Sequence, residues 1–385
     1  MSTNNNLRNR TANFQARRLT QARMAKGWSM VDLARQIEVS RQAISSFEKG
    51  EKNPSYETMR EMAKVLDVKD NFFFLPDNEW GLKKESAINF RTLKSAFAKE
   101  IDQAKVYLNW FAELCYLLES DYVEFQPVKL PKFDIDDFET LTEEAIEYYA
   151  EQTRRFFGLG DGPISDLTLL LENNGVFIGY LPLPQKIDGI SFWINKRPYV
   201  LINRGAYACR ARFDLAHELG HLVLHTSLAQ EDLDKKEILD LVEKQANLFS
   251  SAFLVPEKAI AQEFYSTDLN ALKDLKKRWG VSMQALVMRL HSIDLVSDSQ
   301  KRYFFQKIAT MGYRKKEPLD DVMVKEESRT IKRIIELLNS KSVLLASEFL
   351  TKFSFPIAKA LSGLPDDFFI AKERENNVVK LRLAN

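Results

Sequence analysis

The sequence predicts an α+β, mostly helical chain, and three observations carry that expectation. Apolar residues recur at three- and four-residue steps along most of the chain, the signature of amphipathic helices. Two short runs, Gly175 to Tyr180 and Tyr199 to Ile202, break the pattern with the β-branched and aromatic residues of strands. Pro and Gly clusters, with a shift in charge, divide the chain into an all-α module over 1–75, a linker with a long helix over 76–138, a module with a small sheet flanked by helices over 139–318, and an accessory region over 319–385.

A length of 385 residues suits two to three domains, and 45% hydrophobic with 28% charged residues is an ordinary globular composition. The start, Met1 to Arg10, is polar, and apolar runs such as Phe72 to Leu75 fall far short of roughly 18 residues, so neither a signal peptide nor a membrane span is expected. Cys115 and Cys209 have no partner at metal or redox spacing, which argues against a disulfide framework and points to a reducing cytoplasm. The net charge of +1 hides an asymmetry. Met1 to Lys69 holds 13 Lys and Arg against 7 Asp and Glu, and the remainder 42 against 47. A basic N-terminal module on a mildly acidic body suggests that only the first part meets a polyanion.

Within that module four helices are expected, near Asn13 to Lys26, Ser29 to Gln36, Ser40 to Lys49 and Ser55 to Leu66. Ser29 and Asp32 have capping-box spacing, and only Ile37 to Val39 separate the second helix from the third. In the third, Ala43, Ile44 and Phe47 face inward, leaving Ser40, Arg41, Gln42, Ser45 and Ser46 to contact base edges and phosphates. The run Leu33 to Gln36, Val39 to Ser45 and Phe47 to Gly50 closely resembles the phage-repressor-like (Xre/Cro-type) helix-turn-helix. That resemblance implies a recognition helix over Ser40 to Glu48 in the major groove of double-stranded DNA, and a homodimer on a pseudo-palindromic site. A small helical domain that binds protein instead is the competing reading.

A turn at Pro76 to Gly81 is followed by a helix from Thr92 to Leu118, free of Pro and Gly. Its Tyr107, Trp110, Phe111 and Tyr116 are too apolar for a solvated spacer and predict packing against a domain or a second subunit. Helices are then expected over Thr142 to Phe157 and Leu167 to Asn173, on either side of the small sheet.

The chemistry lies in His217-Glu218-Leu219-Gly220-His221. A spacing of four puts both imidazoles on one helix face, one turn apart, where they can bind a single Zn²⁺, and Glu218 is placed as a general base. Three of the four histidines, His217, His221 and His225, fall at i, i+4 and i+8. Satisfied core histidines are the alternative. A catalytic zinc needs a third protein ligand, and Glu243, on a second apolar-faced helix after an acidic loop, can supply it. His225, rotated about 80° from His217 at ~100° per residue, suits a helix cap or a substrate contact better than a ligand.

His217 to His221 with His225, then Glu243-x-x-Ala246-Asn247-x-Phe249 and Leu254-x-Pro256, resembles the ImmA/IrrE family of zinc metallopeptidases. The likeness extends over Gly162 to Ile164, Leu170 to Gly175 and Leu275 to Leu290, whose turn at Trp279 to Ser282 joins two helices of a peptidase lobe. It implies a zincin-like fold, zinc held by His217, His221 and Glu243, Glu218 as the catalytic residue, and cleavage or inactivation of repressor proteins in stress response and mobile-element control. Two functions therefore stand: a DNA-binding regulator that is also a zinc endopeptidase acting on a protein substrate, and a DNA-binding repressor or antitoxin whose metal site is structural or sensory. The last part shows no catalytic motif; Phe368 to Ile370 and Val378 to Leu383 read as strands of an accessory lobe.

Overall fold

The computed structural model describes residues 13–76, 89–90, 98–135, 137–228, 232, 235–345, 348–349, 353 and 356–369. Four helices open it: α1 (Ala16–Ala25), α2 (Met30–Gln36), α3 (Arg41–Glu48) and α4 (Tyr56–Leu66). Ser29, Ser40 and Ser55 cap the last three by accepting from the N–H groups of Asp32, Ala43 and Thr58. Asp32 returns a bond to the Ser29 N–H at 2.9 Å, completing the capping box. Leu19, Leu33, Ile44, Met59 and Met62 are fully buried between these helices.

A short 3-10 helix (Asp70–Phe74) leads toward α5 (Ala98–Asp121). The expected helix start, Thr92 to Phe97, lies outside the described residues, and the helix runs past Leu118 to Asp121. One face of α5 receives α1. Trp110 donates to Gln21 Oε1 at 3.1 Å, and Gln103 and Tyr107 both donate to the carbonyl of Ala25 at the end of α1, at 2.6 and 3.1 Å. Arg18 of α1, fully buried, makes a bidentate pair with Glu113, Nη1 to Oε2 at 3.0 Å and Nη2 to Oε1 at 2.6 Å. Burying such charges is tolerable only when every donor is met, and Arg18 also donates to Gln21 and to the carbonyls of Leu75 and Pro76. The other face of α5 packs on the sheet, Phe111 meeting Tyr199 edge-on at 5.8 Å. Tyr116 differs from its expected role: it is 40% exposed.

The sheet has β1 (Asn89–Phe90), β2 (Phe177–Leu181), β3 (Gly189–Ile194) and β4 (Arg197–Asn203) in the order β1-β3-β4-β2. β2 runs parallel to β4, and β3 antiparallel to both β4 and β1. Asn195 and Lys196, with φ of 48° and 65°, form the tight turn between β3 and β4, whose left-handed pair suits the strand twist. β3 was not among the strands expected from the sequence. Ile190, Phe192 and Ile194 join the core shared with α5, whereas Gly189, Ser191 and Trp193 alternate onto the opposite face.

That opposite face is covered by α8 (Ala208–Leu224), with α7 (Leu167–Asn173) against β2, and α8 is backed by α9 (Lys236–Leu254), which also packs on α6 (Glu143–Phe156). Behind them lie α10 (Glu257–Glu263), α11 (Leu269–Trp279), α12 (Met283–Ser292) and α13 (Asp298–Thr310). Lys276 on α11 is fully buried between Glu317 at 2.9 Å and Asp320 at 2.5 Å, and Glu317 also accepts from the Met283 N–H at the start of α12. The C-terminal helices α14 (Thr330–Ser340) and α15 (Ala358–Ser362) return to the α5 side of the sheet, where Ile331, Ile335 and Leu361 join the first core. Glu172 of α7 accepts from the N–H groups of Arg329 and Thr330 at the start of α14. Phe368 and Phe369, expected to begin a strand, lie in a 3-10 helix (Asp366–Phe369) that stacks Phe369 on Phe349, a one-sided contact that a turn satisfies; Ile370 and Val378 to Leu383 lie outside the described residues. Among the described residues no helix is long and apolar enough to cross a membrane.

Candidate metal centre

Two small residues bring the chemical groups together. A Cβ at Gly220 in α8 would lie 3.3 Å from the Ala246 Cα and 3.1 Å from Phe249 Cδ1, so glycine here lets α8 and α9 approach closely. Arg154 and Arg289, both buried, donate to the carbonyls of Phe253 and Val255 and hold the end of α9 in place. Across the resulting seam His217, His221 and Glu243 each turn one ligand atom toward the others, all within 4.8 Å. His217 Nε2 and His221 Nε2 are 3.0 Å apart, and they lie 3.5 and 3.3 Å from the two Glu243 oxygens. Tetrahedral bonds of ~2.0–2.1 Å place donors about 3.3 Å from one another, so this triangle has the size of a zinc coordination face.

Hydrogen-bond direction gives an independent test of fit. Gln245 donates its amide to the Phe138 carbonyl at 2.7 Å, so its Oε1 accepts from His225 Nε2 at 2.8 Å. Burial, then the neighbouring His221, pushes the His225 imidazole down to about 3, so it is neutral and its Nδ1 is an acceptor. That nitrogen lies 2.9 Å from His221 Nδ1, which therefore carries the proton and leaves Nε2 as a lone pair. Asn247 donates to the Glu243 carbonyl at 2.8 Å and accepts from His217 Nδ1 at 3.2 Å, with the same result for His217 Nε2. Two lone pairs and a carboxylate thus converge on one point, an arrangement that a cation satisfies.

Glu218, one residue from His217, is fully buried and points to the sheet instead of the triangle. A Cβ on Gly189 of β3 would meet its Oε1 at 2.9 Å, so β3 cedes the room this carboxyl occupies. The residues expected from the sequence as metal donors are therefore brought together. His225 sits at the C-cap of α8 and turns its ring to His221. Sequence reasoning missed Gly189 and Gln245, and gave no role to Asn247, whose i+4 spacing from Glu243 was the available signal.

In the N-terminal module, Glu38 takes a left-handed conformation (φ 54°) and swings α3 away from α2. Arg41 and Gln42 are exposed, Ser45 and Ser46 half-buried, and Ile44 anchors the opposite face of α3. The Ser46 hydroxyl donates to Glu51, and Ser40 is engaged as the cap. Arg23 of α1 pairs with Glu48 at 2.6 Å and ties the end of α3 to α1.

Residues 171–291 match the family model described as the IrrE N-terminal-like domain, a peptidase family, and residues 19–73 match the helix-turn-helix model. The chain joins a helix-turn-helix domain to an IrrE-like domain. A curated relative, the radiation response metalloprotease IrrE of Deinococcus radiodurans, is 32% identical over 126 residues, covering 30% of this chain and 37% of the relative. The chain thus spans little more than a third of the relative it matches. Both the His217 to His221 helix turn and Glu243 lie inside the IrrE-like match.

Proposed function

We propose that this chain is a DNA-binding transcriptional regulator, acting in the cytoplasm as a homodimer, that carries a zinc-dependent endopeptidase directed at another protein, itself a regulator in stress response or mobile-element control. The carrying observation is the convergence of His217, His221 and Glu243 with the buried Glu218 beside them. DNA recognition belongs to 1–75, through Ser40, Arg41, Gln42, Ser45 and Ser46, and hydrolysis to 139–318.

His217, His221 and Glu243 would hold a Zn²⁺, which would supply the Lewis acidity that polarises a scissile carbonyl and brings the pKa of a water toward ~7. Glu218 takes the proton of the attacking water and returns it to the leaving amine. Asn247 and His225 hold the two imidazoles in the tautomer that binds a metal. The apolar surroundings of α8, Leu215, Ala216 and Leu219, all fully buried, keep bulk water from the carboxylate.

Metal analysis of the purified full chain tests the centre: about one zinc per chain is expected, lost in His217→Ala and in Glu243→Ala. Glu218→Gln, nearly isosteric but unable to accept the proton, should keep the zinc and the fold and abolish cleavage. A chain without zinc at every stage, or undiminished cleavage by Glu218→Gln, overturns the reading. Zinc bound without proteolysis, and repression untouched by Glu218→Gln, would instead identify a structural or sensory centre.

A further inference from the structure

A cleft of about 790 Å³ opens beside the candidate metal centre, with His221 of α8 on its floor. Its volume is that of a ligand site. Leu130, Phe133, Trp193 and Leu222 form its walls, and the exposed Lys132 and Lys196 stand at its rim. Among the described lining residues there is no carboxylate. Trp193 belongs to the face of β3 that carries Gly189, so this one strand runs from the wall behind Glu218 to the cleft. Its indole N–H is buried and has no acceptor among the described residues.

We infer that this cleft is the specificity pocket of the centre, and that it takes a bulky apolar side chain of an extended peptide flanked by an acidic residue. The inference rests on the endopeptidase reading and names its substrate class. Apolar walls favour a side chain that leaves water at no polar cost, and they penalise a charged one that would be desolvated against Leu130 and Phe133. The two lysines, with no carboxylate among the described lining residues, attract an acidic neighbour and repel a basic one. The cleft has more room than one side chain fills, so the flanking residue is accommodated at the rim, while His221 on the floor keeps the adjoining peptide bond within reach of the metal donors.

The test uses a synthetic peptide library randomised around a fixed core, incubated with the full chain, its cleavage products being sequenced by mass spectrometry. Cleaved peptides should carry Phe, Leu or Met at one position next to the broken bond, with Asp or Glu beside it. Trp193→Ala should weaken the apolar preference roughly tenfold or more, the scale on which apolar pockets discriminate. Lys132→Glu with Lys196→Glu should turn the charge preference toward Lys and Arg. Unchanged preferences in these variants overturn the inference. Anisotropy with the full-length Glu218→Gln chain and two labelled peptides, one Phe flanked by Glu and one Ala flanked by Lys, reads the pocket without catalysis. At least tenfold tighter binding of the first supports the pocket even if wild type cleaves nothing, an outcome that would reject the endopeptidase alone; equal binding rejects the pocket.

Discussion

Adding one methyl group to β3 asks whether Glu218 acts from where it lies. In Gly189→Ala the new Cβ would fall 2.9 Å from Glu218 Oε1, 3.3 Å from its Cγ and 3.2 Å from Ile202 Cδ1. Gly189 has no left-handed backbone angle, so the effect is steric and not conformational. Ordinary contacts between such atoms lie at about 3.5 Å or more, and the carboxyl must therefore retreat by roughly half an ångström. Glu218 is fully buried, so the retreat strains its neighbours; overpacking of this kind costs about 1–3 kcal/mol. A misplacement of about 1 Å costs catalysis on the order of a hundredfold, and half of that displacement predicts about tenfold in kcat. The imidazoles of the metal donors are oriented by Asn247 and His225, and Glu243 comes from α9, so zinc content should stay unchanged. The assay pairs kcat and KM on a cleavable peptide with zinc stoichiometry and a thermal melt. Full activity in Gly189→Ala would show that Glu218 need not lie against β3, and loss of zinc would show that the donors depend on the strand; either result refutes the reasoning.

Arg18→Met strands the buried Glu113 carboxylate and should cost about 3–5 kcal/mol in urea denaturation, whereas Arg18→Met with Glu113→Leu should recover most of it; equal losses would remove the pair from the account. Burial depresses the Lys276 ammonium, yet its bonds to Asp320 and Glu317 outweigh this and raise it above 10.5. Its stabilisation is thus fully present below about pH 10.5 and lost as pH rises through the higher folded value. The stability gap between wild type and Lys276→Met should accordingly be constant near neutrality and shrink in strong alkali; a gap unchanged through that range would contradict the shift. Arg41→Ala or Gln42→Ala should cost roughly 1–3 kcal/mol on the specific DNA site at fixed salt, with no change in melting because both side chains are exposed. Operator affinity equal to wild type in both would reject α3 as the reading helix.

Features encoded within one or two helical turns were legible in the sequence. The serine caps of α2 to α4 and the four-residue step from His217 to His221 depend only on helix geometry, and the spacing alone places them. Glu243 required a guess about how a second helix returns, and a carboxylate at the right point of an apolar-faced helix was enough to make it. Features that depend on long-range packing were not legible. Gly189 looks like a turn residue until the sheet lays it against Glu218, 29 positions later. Gln245 reaches the Phe138 carbonyl from 107 positions away. The local charge surplus suggested a separate basic module, but Arg18 spends its charge on Glu113, 95 positions along, inside a common core.

That common core changes what a break in the chain would do. α1, the 3-10 helix after α4, α5 and the C-terminal helices share one apolar interior with a face of the sheet, and Phe72 lies edge-on to Trp110 at 5.6 Å. The backbone between residues 76 and 98 is therefore not what holds the helix-turn-helix to the rest. A single cut there would yield two bands on a denaturing gel but one species in native mass spectrometry. Detaching the helix-turn-helix by proteolysis of this chain would demand melting of the interface as well as hydrolysis of a bond, and a nicked chain would keep the module in place.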